Sequence, residues 1–465
     1  MDALDIFPVS VKLFVRRYTR IETGKDGVKF SGRPVFRNWH GEPQTDHSRS
    51  TRTMQTDPGR EKLRRAKTAI LNQDRHQSLA DIIATDREAF SGLRLLFASD
   101  VSGTPIQSSL EATGCASSLF CGKGMLAFSD EIEAQMRLGR AELLFGVRAI
   151  LDTNLLSDLP KFFAGDAIRT REQVEASLQF VIQNLGGKID WTFASLENLR
   201  EAGKPNNPWP FLKVAAAHHF DRHGISPIHR EGLLEYVPAA DDQWQAWMAS
   251  DECWRQITRR DLFYAIMLFS VHECWKGSAV DAAMSNLVDF CLESFNTLPL
   301  KELYFGWKAI KGIHEPTGRL AVFAERPLSS PTKDSLGRIS ALAWDLFLFR
   351  WCETLMTELK GSMFYVPAVT TLDADLLATI KACPLRAILM DDAGKAVEAI
   401  FDDELDFQRC LHDSISDSAR IRIDDPERQA KSGSISRYSL SQAIYSLEAE
   451  VADMVKAAGK ATGTA

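Results

Sequence analysis

A short apolar run that stops abruptly at polar residues constrains the fold most strongly. The run extends from Gly146 to Leu151 and ends at the polar triplet Asp152-Thr153-Asn154. Such a pattern is typical of a buried parallel strand whose C-terminal end lies at a functional site. The sequence therefore predicts a sheet with a parallel strand near residue 150.

A second strand signal occurs much later in the chain. Predicted strands at 363–371 and 387–390 flank a predicted helix at 374–381. The order strand, helix, strand indicates an α/β unit. The pattern therefore predicts the α/β fold class.

Helical periodicity dominates the remainder of the chain. Trp, Phe and Leu recur at three- and four-residue spacing from 210 to 296, which predicts packed helices. We also expect helices at 61–71, 78–97 and 336–359, and a loop or strand at 305–328.

The two ends of the chain differ from its centre. The sequence pattern of residues 1–145 predicts an α+β accessory region. It begins with a β-hairpin at 7–40 around the turn-like segment 23–27. Residues 405–465 predict an acidic loop followed by an amphipathic helix.

Composition limits the class of protein. The chain has 465 residues, of which 45% are hydrophobic and 25% charged, as in globular proteins of two or three domains. The longest apolar stretches have about ten residues, too few to cross a membrane, and Asp2 and Asp5 do not fit a secretory signal. The eight scattered cysteines predict reduced thiols. We therefore expect a cytoplasmic protein without a membrane partner.

Positive charge is concentrated near the N-terminus. The chain has a net charge of −7, but residues 1–67 alone carry +7. A tight basic cluster lies at the start of the helix predicted at 61–71: Arg60, Lys62, Arg64, Arg65 and Lys67. This cluster could bind the phosphates of a nucleic acid, or it could be an ordinary solvated helix face.

Acidic residues recur where strands or helices would project them from the predicted sheet. Asp152 follows the apolar run, Asp345 lies in the segment Ala-Trp-Asp-Leu-Phe-Leu-Phe-Arg, and Asp373 and Asp375 lie in Val-Thr-Thr-Leu-Asp-Ala-Asp-Leu-Leu. These three segments resemble PIN-like nucleases. In that family an opening strand ends in an Asp-Thr-Asn-like motif, and later acids lie on a helix and just after a late strand.

The resemblance implies a role for each matching residue. Asp152, Asp345 and Asp373 would be catalytic acids that also bind metal, with Asp375 as a neighbouring metal ligand. Glu197, on an early helix, would be a further catalytic acid, and Asn154 would support Asp152.

The resemblance also implies an architecture. A three-layer PIN-like domain with a central parallel sheet would be built from 146–204 and 336–404. A helical insertion at 205–335 would separate its two parts, and residues 1–145 would lie outside the family pattern.

Grouped carboxylates have a chemical consequence that does not depend on the family. They repel one another, so they stay ionised only if a cation neutralises them. Mg²⁺ or Mn²⁺ prefers such hard oxygen ligands, and it can activate water and stabilise charge on a phosphodiester. We therefore expect a metal-dependent endoribonuclease that acts on RNA, with single-stranded DNA as the alternative substrate.

Simpler interpretations remain for each acid. Asp152 and Asp373 could be helix N-caps, and Glu197 could pair with Arg200 or Lys204 on a helix surface. The chain could then be a catalytically inactive scaffold whose helical insertion binds a protein partner.

Overall fold

The structure is a computed structural model that describes residues 20–24, 27–31, 58–73, 77–139, 144–204, 207–325, 328–358, 363–393, 396–425, 428 and 435–462. The strands in these ranges are β1 (Arg20–Gly24), β2 (Gly27–Ser31), β3 (Arg94–Ser99), β4 (Ala116–Ser117), β5 (Gly124–Phe128), β6 (Leu144–Leu151), β7 (Ile189–Asp190), β8 (Met363–Thr370), β9 (Leu385–Asp391) and β10 (Ala396–Phe401).

Helices make up most of the described chain. They are α1 (Pro58–Leu71), α2 (Leu79–Thr85), α3 (Arg87–Phe90), α4 (Ile106–Glu111), α5 (Asp130–Arg137), α6 (Thr153–Phe163), α7 (Arg171–Asn184), α8 (Thr192–Glu197), α9 (Leu199–Ala202), α10 (Trp209–His223), α11 (Arg230–Leu233), α12 (Val237–Met248), α13 (Asp251–Trp275), α14 (Val280–Phe295), α15 (Leu300–His314), α16 (Ala321–Glu325), α17 (Ser335–Met356), α18 (Ala374–Ala382), α19 (Glu404–Ser414), α20 (Asp417–Asp424) and α21 (Arg437–Thr462). Short 3-10 helices occur at Leu234–Tyr236 and Gly318–Leu320.

One sheet contains parallel strands and has the order β4-β8-β6-β7. The central strand β6 runs parallel to both β7 and β8, with Leu151 opposite Thr370, while β4 pairs antiparallel with β8 at the edge. Ile150 and Leu151 are fully buried. The predicted buried parallel strand before Asp152 is confirmed.

The second sheet is antiparallel throughout and has the order β10-β9-β3-β5. Its strand β3 begins at Arg94, inside the segment predicted as helix, so the prediction for 78–97 is wrong beyond α3. The side chains of Leu95, Leu96 and Phe97 are all buried. When a strand is buried on both faces, its sequence is a continuous apolar run, and periodicity cannot distinguish such a run from a buried helix.

These pairings join regions that the sequence predicted as separate. Strands β3 and β5 come from the predicted accessory region, and they share a sheet with β9 and β10 from near the end of the predicted PIN-like part. Strand β9 therefore lies in the antiparallel sheet, whereas β8 lies in the parallel one. The fold is mixed α/β with two small sheets, one of which includes parallel strands.

A helical core packs beside the sheets. Helix α13 lies against α15, α17 and α21, and the Phe263 ring contacts the rings of Phe305 and Phe347 at centroid distances of 5.4 and 6.4 Å. The helices predicted within 210–296 and 336–359 are confirmed. The loop or strand predicted at 305–328 is wrong, because α15 and α16 occupy much of that segment. Helix α15 buries the charged residues Glu302 and Lys308 together with its apolar residues, so polarity in the sequence does not mark its exposed face.

The predicted N-terminal hairpin is confirmed around its turn. Strands β1 and β2 pair antiparallel from Arg20 opposite Ser31 to Gly24 opposite Gly27. The rest of the predicted hairpin, 7–19 and 32–40, lies outside the described residues.

All eight cysteines are free thiols, as predicted, and five of them are buried. No helix in the described ranges has both the length and the apolar composition that a membrane span requires.

Candidate active site

Asp152 lies at the C-terminal end of the central parallel strand. Its backbone N–H donates to the Thr370 carbonyl at 3.0 Å, and its carboxylate accepts from the Asn154 backbone N–H at 3.4 Å at the start of α6. The side chain is 9% exposed. Asp152 is therefore an N-cap, as the simpler interpretation predicts, but it is held almost out of water.

Asp373 lies after the neighbouring strand β8. Because β6 and β8 are parallel and in register, the chain leaves both strands at the same edge of the sheet. The Thr371 hydroxyl donates to Asp152 Oδ2 at 2.8 Å, and Asn154 Nδ2 donates to Asp373 Oδ2 at 3.5 Å. The other Asp373 oxygen, Oδ1, accepts from the Asp375 backbone N–H at 2.8 Å and caps α18. Two of the predicted acids are thus brought together.

Glu197 joins the same group from a third direction. It is the last residue of α8, which follows the short parallel strand β7. The Thr153 hydroxyl donates to Glu197 Oε2. Three acids predicted from sequence are therefore linked through the segment Asp152-Thr153-Asn154, in which each residue contacts a different part of the site.

The other two predicted acids are placed less directly. Asp375 is exposed in the first turn of α18 and contributes its backbone N–H to Asp373. Asp345 is half-buried on α17, one turn before Leu348, which lines a small recess together with Asp152 and Phe193. Its membership of the site stays a prediction.

The environment makes two of these carboxyl groups harder to ionise. Burial raises the pKa of Asp152 and outweighs the Thr371 hydrogen bond, which lowers it, and the nearby negative charge of Asp373 raises it further. Burial also raises the pKa of Glu197, and the charge of Asp152 acts in the same direction. Buried carboxyls that repel each other are typical of functional sites.

Two cations that sequence reasoning missed lie close enough to act on Glu197. The charges of Arg260 and Lys213 both lower the pKa of Glu197, opposing its burial. Lys213 Nζ donates to Asn198 Oδ1 at 2.7 Å, next to Glu197 in the chain. Arg260 lies on α13, with its guanidinium 4.9 Å from the centroid of the Trp344 ring. No local motif marks either residue, because tertiary packing alone brings them to the site.

The donor set can be compared with what a divalent cation needs. Among the described residues, no group of three or more Asp, Glu, His or Cys side chains is arranged to hold a metal ion. Mg²⁺, however, is often held by only one or two carboxylates and completes its shell with water and phosphate oxygens. Asp152 and Asp373 are the two acids that would supply that smaller set, because they follow adjacent parallel strands.

The basic cluster predicted on α1 is engaged with acidic side chains. Arg64 pairs with Glu61 at 2.6 Å, and Arg65 pairs with Asp86 at 2.7 Å. Lys67 Nζ lies 2.8 Å from a carboxylate oxygen of Glu398 and 2.6 Å from one of Glu404. These pairs favour the interpretation as an ordinary helix face, and nucleic-acid binding by Arg60, Lys62, Arg64, Arg65 and Lys67 stays a prediction.

Comparison with models of protein families, with curated proteins and with solved structures finds no match to this chain.

Proposed function

We propose that this chain is a metal-dependent phosphodiesterase, a divergent PIN-like ribonuclease. The proposal is carried by one observation. Asp152 and Asp373 follow adjacent parallel strands at one sheet edge, and hydrogen bonds through Thr153 and Asn154 tie both this edge and Glu197 to the start of α6. Wholly or partly buried acids that repel one another reduce stability unless a cation neutralises them.

Each residue then has a role in the proposed chemistry. Asp152 and Asp373 would hold Mg²⁺ or Mn²⁺, and such an ion would supply an acidified water and neutralise charge on a phosphodiester. Burial raises the pKa of Glu197, so its carboxylate accepts a proton more readily than that of an ordinary glutamate. Thr371 orients Asp152, Asn154 orients Asp373, and Thr153 orients Glu197.

The test is cleavage of a labelled RNA with Mg²⁺ or Mn²⁺, comparing the wild type with Asp152→Asn. Asparagine keeps the shape of the side chain and removes its charge, so we expect activity to fall by at least about a hundredfold. Asp391→Asn is the matched control. Asp391 is also a buried aspartate at a strand end, where it accepts from the Ala393 backbone N–H at 3.1 Å, but it lies in the antiparallel sheet.

A non-catalytic scaffold is the second candidate. It is favoured by the hydrogen bonds from Thr371, Thr153 and backbone N–H groups, which already satisfy the acids. The helices of 205–335 would then bind a protein partner. A wild type without cleavage activity, or activity that Asp152→Asn leaves unchanged, favours the scaffold. Parallel assays on single-stranded DNA and RNA separate the two nuclease substrates.

A further inference from the structure

Trp209 is an exposed aromatic side chain at the first position of α10. It is 40% exposed, and the Lys161 ammonium lies 5.9 Å from the centroid of its ring. Lys161 belongs to α6, the helix that Asp152 caps. Lys161 lies nine positions after Asp152, which corresponds to about 13 Å along the helix axis.

Lys213 links this tryptophan to the candidate active site. It lies one helical turn after Trp209 on α10 and acts electrostatically on Glu197. Burial lowers the pKa of Lys213, the nearby Glu197 and Glu201 oppose that change, and the positive charge of Lys161 adds to it. The two ammonium groups are therefore close enough to repel each other.

Among the described residues neither lysine forms an ion pair, although the carboxylates of Glu197 and Glu201 act on Lys213 from a longer distance. Lys213 donates instead to the neutral Asn198 amide at 2.7 Å. Because the two ammonium groups repel each other, a phosphate bound between them would relieve that repulsion, although the negative charges of Glu197 and Glu201 act in opposition. The adjacent ring of Trp209 adds an apolar surface of the kind on which nucleic-acid bases stack.

We propose that Trp209, Lys161 and Lys213 form a subsite that binds an unpaired nucleotide of a single-stranded substrate. The indole stacks on the base, and the two ammonium groups bind the adjoining phosphates. The inference rests on the proposed phosphodiesterase function and specifies its substrate as single-stranded nucleic acid. Because Lys161 lies on α6, the helix that Asp152 caps, the strand bound here extends toward the acids.

The experiment measures binding rather than cleavage. Fluorescence anisotropy of a labelled single-stranded oligouridine is recorded with the full chain in EDTA, which prevents metal-dependent turnover. Trp209→Ala is expected to weaken binding by about five- to a hundredfold, the range for loss of one stacked base. Trp209→Phe should retain most of the affinity, because phenylalanine keeps an aromatic face. Lys161→Ala and Lys213→Ala should each reduce the slope of log affinity against log salt by about 0.7.

Trp254→Ala is the matched control. Trp254 is 43% exposed, and the Arg437 guanidinium lies 5.8 Å from its ring centroid. Like Trp209, Trp254 is therefore an exposed indole beside a cation, but it lies on a different helix. It should change the affinity by less than about twofold.

The outcomes separate this subsite from the proposed activity. If Trp209→Ala binds as tightly as the wild type, or Trp254→Ala weakens binding equally, the subsite is refuted even if RNA is cleaved. A wild type without affinity for the oligouridine refutes it as well. If Trp209→Ala selectively loses binding while the wild type cleaves nothing, the subsite stands and the phosphodiesterase proposal fails.

Discussion

The Thr371 hydroxyl supports two groups of the candidate site at once. It donates to Asp152 Oδ2 at 2.8 Å and accepts from the Asp373 backbone N–H at 2.9 Å. Thr371→Val removes the hydroxyl with almost no change in shape. The hydrogen bond to the carboxylate contributes roughly 1.5–3 kcal/mol and the neutral one roughly 1 kcal/mol. We therefore expect the free energy of unfolding at neutral pH to fall by about 2–4 kcal/mol.

The pH dependence of this loss identifies its cause. Because burial raises the pKa of Asp152 in the folded state, ionising this group destabilises the fold as pH rises through that folded pKa. The Thr371 hydroxyl favours the ionised form, so the substitution raises the pKa further. The stability difference between variant and wild type should therefore grow as pH rises above the folded pKa of Asp152 in the wild type. It should become constant once pH exceeds the higher folded pKa of Asp152 in the variant.

Urea denaturation between about pH 5 and about pH 8 measures this difference. Thr379→Val is the matched control, because Thr379 is also fully buried but its hydroxyl donates to the backbone carbonyl of Asp375 at 2.8 Å. Its stability loss should not change with pH. If the stability loss of Thr371→Val is also independent of pH, the Thr371 hydroxyl does not stabilise the ionised form of Asp152, and the reasoning is refuted.

Three further predictions concern the fold and the metal. Gly306→Ala should lower the free energy of unfolding, measured by urea denaturation, by about 1–2 kcal/mol, because a Cβ there would lie 2.8 Å from a Leu287 methyl group. Gly337 has open space around it, so Gly337→Ala should leave the free energy of unfolding unchanged or raise it by up to about 1 kcal/mol. Lys67→Ala should lower stability by roughly 3 kcal/mol, because it leaves two carboxylates unpaired, whereas Arg64→Ala, which breaks an exposed pair, should have a much smaller effect. Chelation should abolish RNA cleavage, and added Mn²⁺ should restore it.

The sequence predicts the local parts of the site well. Asp152 could be placed at a strand end because the apolar run before it is short and stops at polar residues. Asp373 could be placed at a helix start because an N-cap needs such a side chain. Both assignments depend on neighbouring residues, and the structure confirms both positions.

Long-range packing accounts for what the sequence did not predict. Strand β3 pairs with β9, almost three hundred residues later, and no local pattern of Leu95 to Phe97 specifies that partner. Helix α15 was not recognised, and its charged residues Glu302 and Lys308 are buried by contacts that only the folded chain makes. Tertiary packing also brings Lys213 on α10 and Arg260 on α13 close enough to act on Glu197, which no local sequence motif indicates.

Binding of Mn²⁺, followed by electron paramagnetic resonance of the free ion, tests the pairing of Asp152 with Asp373 most directly. The wild type should bind Mn²⁺, Asp152→Asn and Asp373→Asn should each weaken that binding by at least about tenfold, and Asp391→Asn should leave it unchanged. Equal Mn²⁺ affinity in all four proteins, or no binding by the wild type, would contradict a cation site at this edge of the parallel sheet.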